Sequence, residues 1–201
     1  KCQKDFYLKT IFPTPYTGLQ EWTMSYAIKL DRNKDNQAVL SPDFYSRVTA
    51  DGALQMKVGE TDDPKAFAKT KLQPGKWYYI AWVYKNQHVR CYINGVLDNE
   101  FDVPKVETFT KLNMSWGAFE GYVREIRLYN KALTAFQVAD NLYIETPDNP
   151  DLLFYAPLDK KTGIKDVSKK QNTIKVYVPG SGDGTEYDQS LITWSNEKFP
   201  E

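Results

Sequence analysis

From Trp22 to Leu30 the large apolar residues fall on one parity: Trp22, Met24, Tyr26, Ile28 and Leu30, with small or polar residues between them. Successive side chains of a strand leave opposite faces, so this spacing predicts a half-buried strand with those five residues inward. Asp31 to Gln37 then reads as a polar loop. Asp51-Gly52 predicts a turn between strands at 45–48 and 53–58. Pro74-Gly75 predicts another, ahead of Trp77–Tyr84, the run richest in strand formers. Trp77 is expected in the core together with Trp22. Lys85 to His88 turns back into a strand at 89–93. Asn94-Gly95 is a strong two-residue hairpin signal, because both residues tolerate positive φ. A further strand is expected over 121–129. Thr134 is a plausible N-cap for one short helix over 134–143, with Phe136, Val138, Ala139 and Leu142 as its apolar face.

Short strands punctuated by turns predict an all-β fold, a two-sheet antiparallel β-sandwich with that single helix. Pro147-Asp-Asn-Pro150 reads as a junction. It divides a main domain, 1–147, from a C-terminal β extension, 148–201, whose strands near 152–156 and 173–178 are expected to pack on the sandwich. A chain of 201 residues buries about 70% of its unfolded surface, enough for one sizeable core.

Lys and Arg number 26, as do Asp and Glu. The balance argues against nucleic acid as a partner, since phosphate binding needs a basic excess or a basic stripe. The loop lysines 160, 161, 165, 169 and 170 lack interleaved aromatics and read as a solvated face. No apolar run of about 18 residues exists, so no membrane-spanning segment is expected. Aromatics make up 14% of the chain. They suit strands, and a few outside the strongest strands are left as candidates for binding.

Candidate chemistry is sparse. His88 is the single histidine and falls in an expected turn, which leaves no obvious catalytic base. Cys2 and Cys91 are the only cysteines; Cys91 sits in an alternating strand, and the spacing leaves both a disulfide and two thiols open. Glu60-Thr-Asp62 and Glu100-Phe-Asp102 each place two carboxylates on one strand face, as β-sandwich glycanases do. Both motifs end in Lys and contain Pro, and read as non-catalytic. Asp31, Asn33 and Asp35 have the oxygen spacing of a calcium loop, but Asn36 and Pro42 stand where an EF-hand needs Gly and Glu. A simpler loop-bound calcium stays open; no other cofactor is expected. Gly180 to Gly184 reads as a flexible turn, since no Gly-Lys-Ser/Thr follows.

Three stretches, in order, resemble the laminin-G-like, concanavalin A-like jelly-roll family. They are Trp22 to Lys29; Gly75-Lys-Trp77 to Tyr84 followed by Tyr92-Ile-Asn94-Gly95; and Gly121 to Thr134. Together they span about residues 5–145. The family commonly carries an acidic residue after the position of Val123, where this sequence has Arg124, so a calcium site depending on that residue is not implied. The tail is similar to a segment following such domains in surface lipoproteins of gut anaerobes, through Leu153 to Leu158 and Asp166-Val-Ser168. That likeness implies an exported protein at the outer bacterial surface, with any signal or lipid anchor outside this chain.

The expected function is a non-catalytic module that binds a glycan or polysaccharide. Trp116 is the foremost stacking candidate, with Asn113 beside it; Phe119, Tyr45 and Trp194 complete the set. One alternative is a protein-interaction or structural module whose partner is another surface protein, because the fold hosts both. A second is a glycoside hydrolase or lyase using Glu100, Asp102 or Glu125.

Overall fold

In the computed structural model, which describes residues 7–43, 45–57, 67–114, 119–142, 147–178, 185–187 and 194–195, the alternation at 22–30 becomes strand β2 (Glu21–Leu30). It pairs antiparallel with β7 (Trp77–Lys85) in the register Trp22↔Tyr84, Met24↔Trp82 and Tyr26↔Ile80. Even-numbered residues of both strands therefore point into one core, as the period-2 pattern requires. On its other side β2 pairs with β11 (Gly121–Tyr129).

These strands lie inside a six-stranded sheet. Its order is β12 (Leu152–Ala156), β11, β2, β7, β8 (His88–Ile93) and β9 (Val96–Asp102). A second sheet of eight strands runs β14 (Thr185–Tyr187), β13 (Ile174–Val178), β1 (Tyr7–Tyr16), β10 (Phe109–Met114), β3 (Gln37–Pro42), β4 (Tyr45–Val48), β5 (Ala53–Lys57) and β6 (Phe67–Lys71). The expected antiparallel sandwich is the observed one. Strands β1, β3, β6, β9, β10 and β14 escaped the sequence reading. In β9 the alternation is swamped by Asp98, Asn99, Glu100 and Asp102, and β3 is interrupted by an irregularity between Ala38 and Leu40.

The inter-sheet core is aromatic. Trp22 stacks on Tyr84 at 5.1 Å and meets Phe109 edge-on at 5.3 Å, and its indole N–H donates to the Val106 carbonyl at 2.8 Å. Burying such rings is the main stabilising term, worth about 3 kcal/mol for a large side chain. Tyr26, Trp82 and Ser46 supply the core's polar contact, with the Tyr26 hydroxyl bonded to Ser46 Oγ. Cys91 is a buried free thiol on β8, and burial pushes its pKa up. Cys2 lies outside the described residues.

The segment after residue 148 supplies β12 to the six-stranded sheet and β13 and β14 to the eight-stranded one. β12 pairs with β11 through Leu128↔Phe154, and β13 pairs with β1 through Leu8↔Val176. Leu153, Phe154, Ala156 and Ile174 share the core of β2. The Asn94-Gly95 hairpin is present, with φ of 51° and 80°. Its glycine is required twice over, because a Cβ there would also meet the Cα of Ala139 at 3.2 Å.

The helix, α1 (Ala135–Asp140), opens on the expected cap: Thr134 and Gln137 form a reciprocal capping box. Its expected apolar face needs one correction. Val138 is buried, whereas Phe136 is 79% exposed. Two helical steps turn the chain by about 200°, so residues 136 and 138 face opposite ways. No helix among the described residues is long and apolar enough to cross a membrane.

Candidate functional site

The outer face of the six-stranded sheet carries a second apolar layer. Ala27, Tyr79, Ala81, Val83, Tyr92 and Tyr129 pack there with Leu133 and Val138 from the helix and the loop before it. Odd-numbered residues of β7 build this layer, so Trp77 stands on the outer face. It is half-buried and does not enter the inter-sheet core as expected. Trp77 and Trp82 differ by five positions, and period 2 allows only one of them inside.

At one end of this face three strands place three side chains in a row: Tyr122 on β11, Lys29 on β2 and Trp77 on β7, paired as Tyr122↔Lys29 and Lys29↔Trp77. The rings lie 6.0 Å apart, tilted by 56°. Lys29 Nζ is 4.8 Å from the centre of the Tyr122 ring and 6.0 Å from that of Trp77, within cation–π range. Gly121 permits the close approach of β11, since a Cβ there would sit 2.3 Å from the Lys29 carbonyl oxygen. All three side chains are half-buried.

Along β11 from Tyr122 the pairing with β2 breaks between Arg124 and Arg127. Glu125 takes φ of +55° in this bulge, a conformation rarely held by a non-glycine residue. Its carboxylate accepts from Arg124 at 3.1 Å, from Arg127 at 2.8 Å and from the Tyr155 hydroxyl at 2.8 Å. Arg127 also donates to the Asn141 carbonyl at 2.6 Å, tying the end of α1 to the sheet. Burial opposes the charge on Arg127, but the surrounding tyrosines and Glu125 outweigh it and raise the pKa. Burial first, then the Glu125 charge, pushes Tyr155 up to about 12.

The residues expected to bind do not form one cluster. Phe119 is fully buried in the inter-sheet core and offers no face to a ligand, which removes it from the set. Trp116 lies outside the described residues. Asn113 and Tyr45 are both half-buried, on β10 and β4 of the eight-stranded sheet, with β3 between them. Asn113 Oδ1 is buried and makes no hydrogen bond. Trp194 is half-buried. Trp77 and Tyr122 were not among the residues expected to bind; the parity of Trp77 against Trp82 was the signal that could have placed the first on the outer face.

The carboxylates are placed as follows. Glu100 and Asp102 lie on one exposed face of β9 and bracket His88, with Asp102 Oδ1 2.8 Å from Nδ1 and Glu100 Oε2 3.3 Å from Nε2. His88 is the first residue of β8, directly after the turn, and its pKa is raised, chiefly by the Asp102 hydrogen bond. Glu60 and Asp62 lie outside the described residues. In the loop of Asp31, Asn33 and Asp35, the Gln37 amide donates to the Arg32 and Lys34 carbonyls at 3.0 and 3.2 Å. Among the described residues no group of three His, Cys, Asp or Glu could hold a metal ion. An open depression of about 400 Å³ borders Ile164, Gln171 and Thr173. The Asp166 carboxylate there is consumed internally by the backbone N–H groups of Tyr155, Ser168 and Asn172.

No functionally curated protein matches this sequence. Among solved structures, a protein of Bacteroides ovatus provisionally described as carbohydrate binding superposes with a TM-score of 0.70 at 20% identity. The match covers 86% of this chain and 57% of that one, so this chain spans little more than half of its neighbour's length. The heptameric SAP-like pentraxin of Limulus polyphemus superposes at 0.54 with 16% identity, over 69% and 76% of the two chains. Botulinum neurotoxin type C, whose cell entry depends on two ganglioside molecules, superposes at 0.52 with 11% identity, over 66% and 37%. At these identities the likeness establishes the fold. Residues 7–139, most of the sandwich just described, match a family model directly, and the chain belongs to the concanavalin A-like lectin/glucanases superfamily.

Proposed function

We propose that the chain is a non-catalytic carbohydrate-binding module and that Trp77 and Tyr122 form its sugar-contacting end. The observation that carries this reading is the pair of half-buried rings that flank Lys29 on a lectin-like sandwich, 6.0 Å apart. The C–H faces of a sugar ring pack on aromatic faces, and adjacent polar groups orient its hydroxyls. The Bacteroides ovatus and botulinum neurotoxin neighbours, described respectively as carbohydrate binding and ganglioside dependent, support the same reading. So does the arrangement of Glu125, whose carboxylate is occupied by two guanidinium groups and a tyrosine hydroxyl. Residence at the outer surface of a bacterium is part of the proposal, on the likeness of the tail to surface lipoproteins. The test is retention on a glycan array. Trp77→Ala is expected to lose the retention of the parent chain while its circular dichroism is unchanged; retention that survives the change removes this end from the site.

One observation favours a second reading, a protein-interaction module. Phe136 is 79% exposed, Val96 70% and Leu97 46%, and the hairpin that leads into Val96 packs on α1. Exposed apolar residues gathered on adjoining elements are common at protein contacts. A blank glycan array together with pull-down of a partner, lost in Phe136→Ser, would establish this reading.

A further inference from the structure

We infer that the sugar taken at the Trp77–Tyr122 end is acidic, carrying a carboxylate or a sulfate. This rests on the carbohydrate reading above and specifies its ligand class. Lys29 lies between the two rings on the middle strand. Arg124 lies one pleat beyond Tyr122 on the same face of β11, about 7 Å along the strand. Its partner across the pair is Ala27.

Arg124 is held by Glu125 at 3.1 Å. The single charge of Glu125 is shared with Arg127, which it meets at 2.8 Å and which is itself almost fully buried. Glu125 thus orients Arg124 while serving Arg127 as well. Among the described residues a second carboxylate close to Arg124 is Asp159. Burial opposes its ionisation, but hydrogen bonds from Thr162 outweigh that, with Arg124 helping, and hold its pKa below the usual value. Among the described residues, the charged groups at this end include Lys29, Arg124, Arg127, Glu125 and Asp159. An anionic sugar lying on the rings would meet the ammonium of Lys29 and the planar fork of Arg124, which suits a carboxylate or sulfate better than a hydroxyl.

The test is affinity electrophoresis of the purified chain through gels holding polygalacturonate, its fully methyl-esterified form, dextran sulfate or neutral galactan. Retardation by polygalacturonate, lost on esterification and weakened roughly tenfold in each of Lys29→Gln and Arg124→Gln, is expected if the group is a carboxylate. Retardation by dextran sulfate alone, with the same sensitivity to both variants, would assign it to a sulfate. Lys29→Arg, which keeps the charge, should restore binding and shows that the loss is not one of folding. Equal retardation by neutral galactan and polygalacturonate, unchanged by both Gln variants but abolished by Trp77→Ala, overturns the acidic ligand and leaves the carbohydrate reading standing. No retardation in any gel, with a blank glycan array, overturns both.

Discussion

The indole N–H of Trp82 donates to the hydroxyl of Ser46 across the sandwich, at 3.0 Å. Trp82 belongs to the six-stranded sheet and Ser46 to the eight-stranded one, and both are fully buried. The Tyr26 hydroxyl joins the same Ser46 oxygen, so one serine serves two large rings. Ser46→Ala removes the shared oxygen and leaves the Trp82 N–H only its longer, 3.4 Å contact with the Tyr26 hydroxyl. It is expected to cost about 1–3 kcal/mol. Urea unfolding would show this as a lower midpoint at unchanged slope, and an unaltered midpoint would mean that water replaces the hydroxyl.

Trp77 and Trp82 share a strand but not a fate. Trp82→Ala empties a fully buried site and should cost about 3–5 kcal/mol. Trp77→Ala removes a half-buried ring from the outer face, and its cost should be clearly smaller, about 1–2 kcal/mol. Parallel denaturation of the two variants checks the ranking. Equal losses would show that Trp77 is as structural as Trp82.

Gly95 combines positive φ with contact against Ala139 and Leu142. Gly95→Val demands a strained backbone and displaces the helix from the hairpin. A loss of about 2 kcal/mol or more is expected, with faster exchange of the amide protons of α1. Exchange that stays slow would show that the hairpin and helix do not depend on each other.

His88 offers the pH dependence. Its pKa in the fold is raised, chiefly through Asp102, so protonation is favoured by folding. The resulting stabilisation is complete below the unfolded-state value of about 6.5 and fades as pH rises through the folded value. Its side chain is 38% exposed, which limits the effect to a few tenths of a kcal/mol. Titration by NMR should place His88 above an ordinary histidine and bring it down in Asp102→Asn. An unshifted titration in that variant would remove Asp102 as the cause.

Local physics decided much of the fold in advance. The parity of 22–30, the Asn94-Gly95 turn and the Thr134 cap each act within a few residues, and each appears as expected. The family likeness was legible for the same reason, since its carrying motifs are strand and turn patterns. The candidate site was not. A strand pattern shows that one face is buried, but a sheet with a second layer on its back buries both faces, and only stacking says which residues meet which layer. Thus Trp77 lies outside the core, and Phe119, at the end of a polar-looking stretch, lies within it. Phe136 was misassigned by helical geometry alone, which the sequence did contain.

What the sequence by itself determined is the class of fold, the hairpins, the helix cap and the family. What the tertiary structure decided is which distant strands become neighbours. Lys29, Trp77 and Tyr122 are far apart in the chain, and hydrogen-bond register alone brings them into one row. The tail after residue 148 is likewise divided between two sheets by pairing with β11 and β1. Strand pairing is set by non-local contacts and the closure of a shared core, and no period or spacing along the chain encodes the partner.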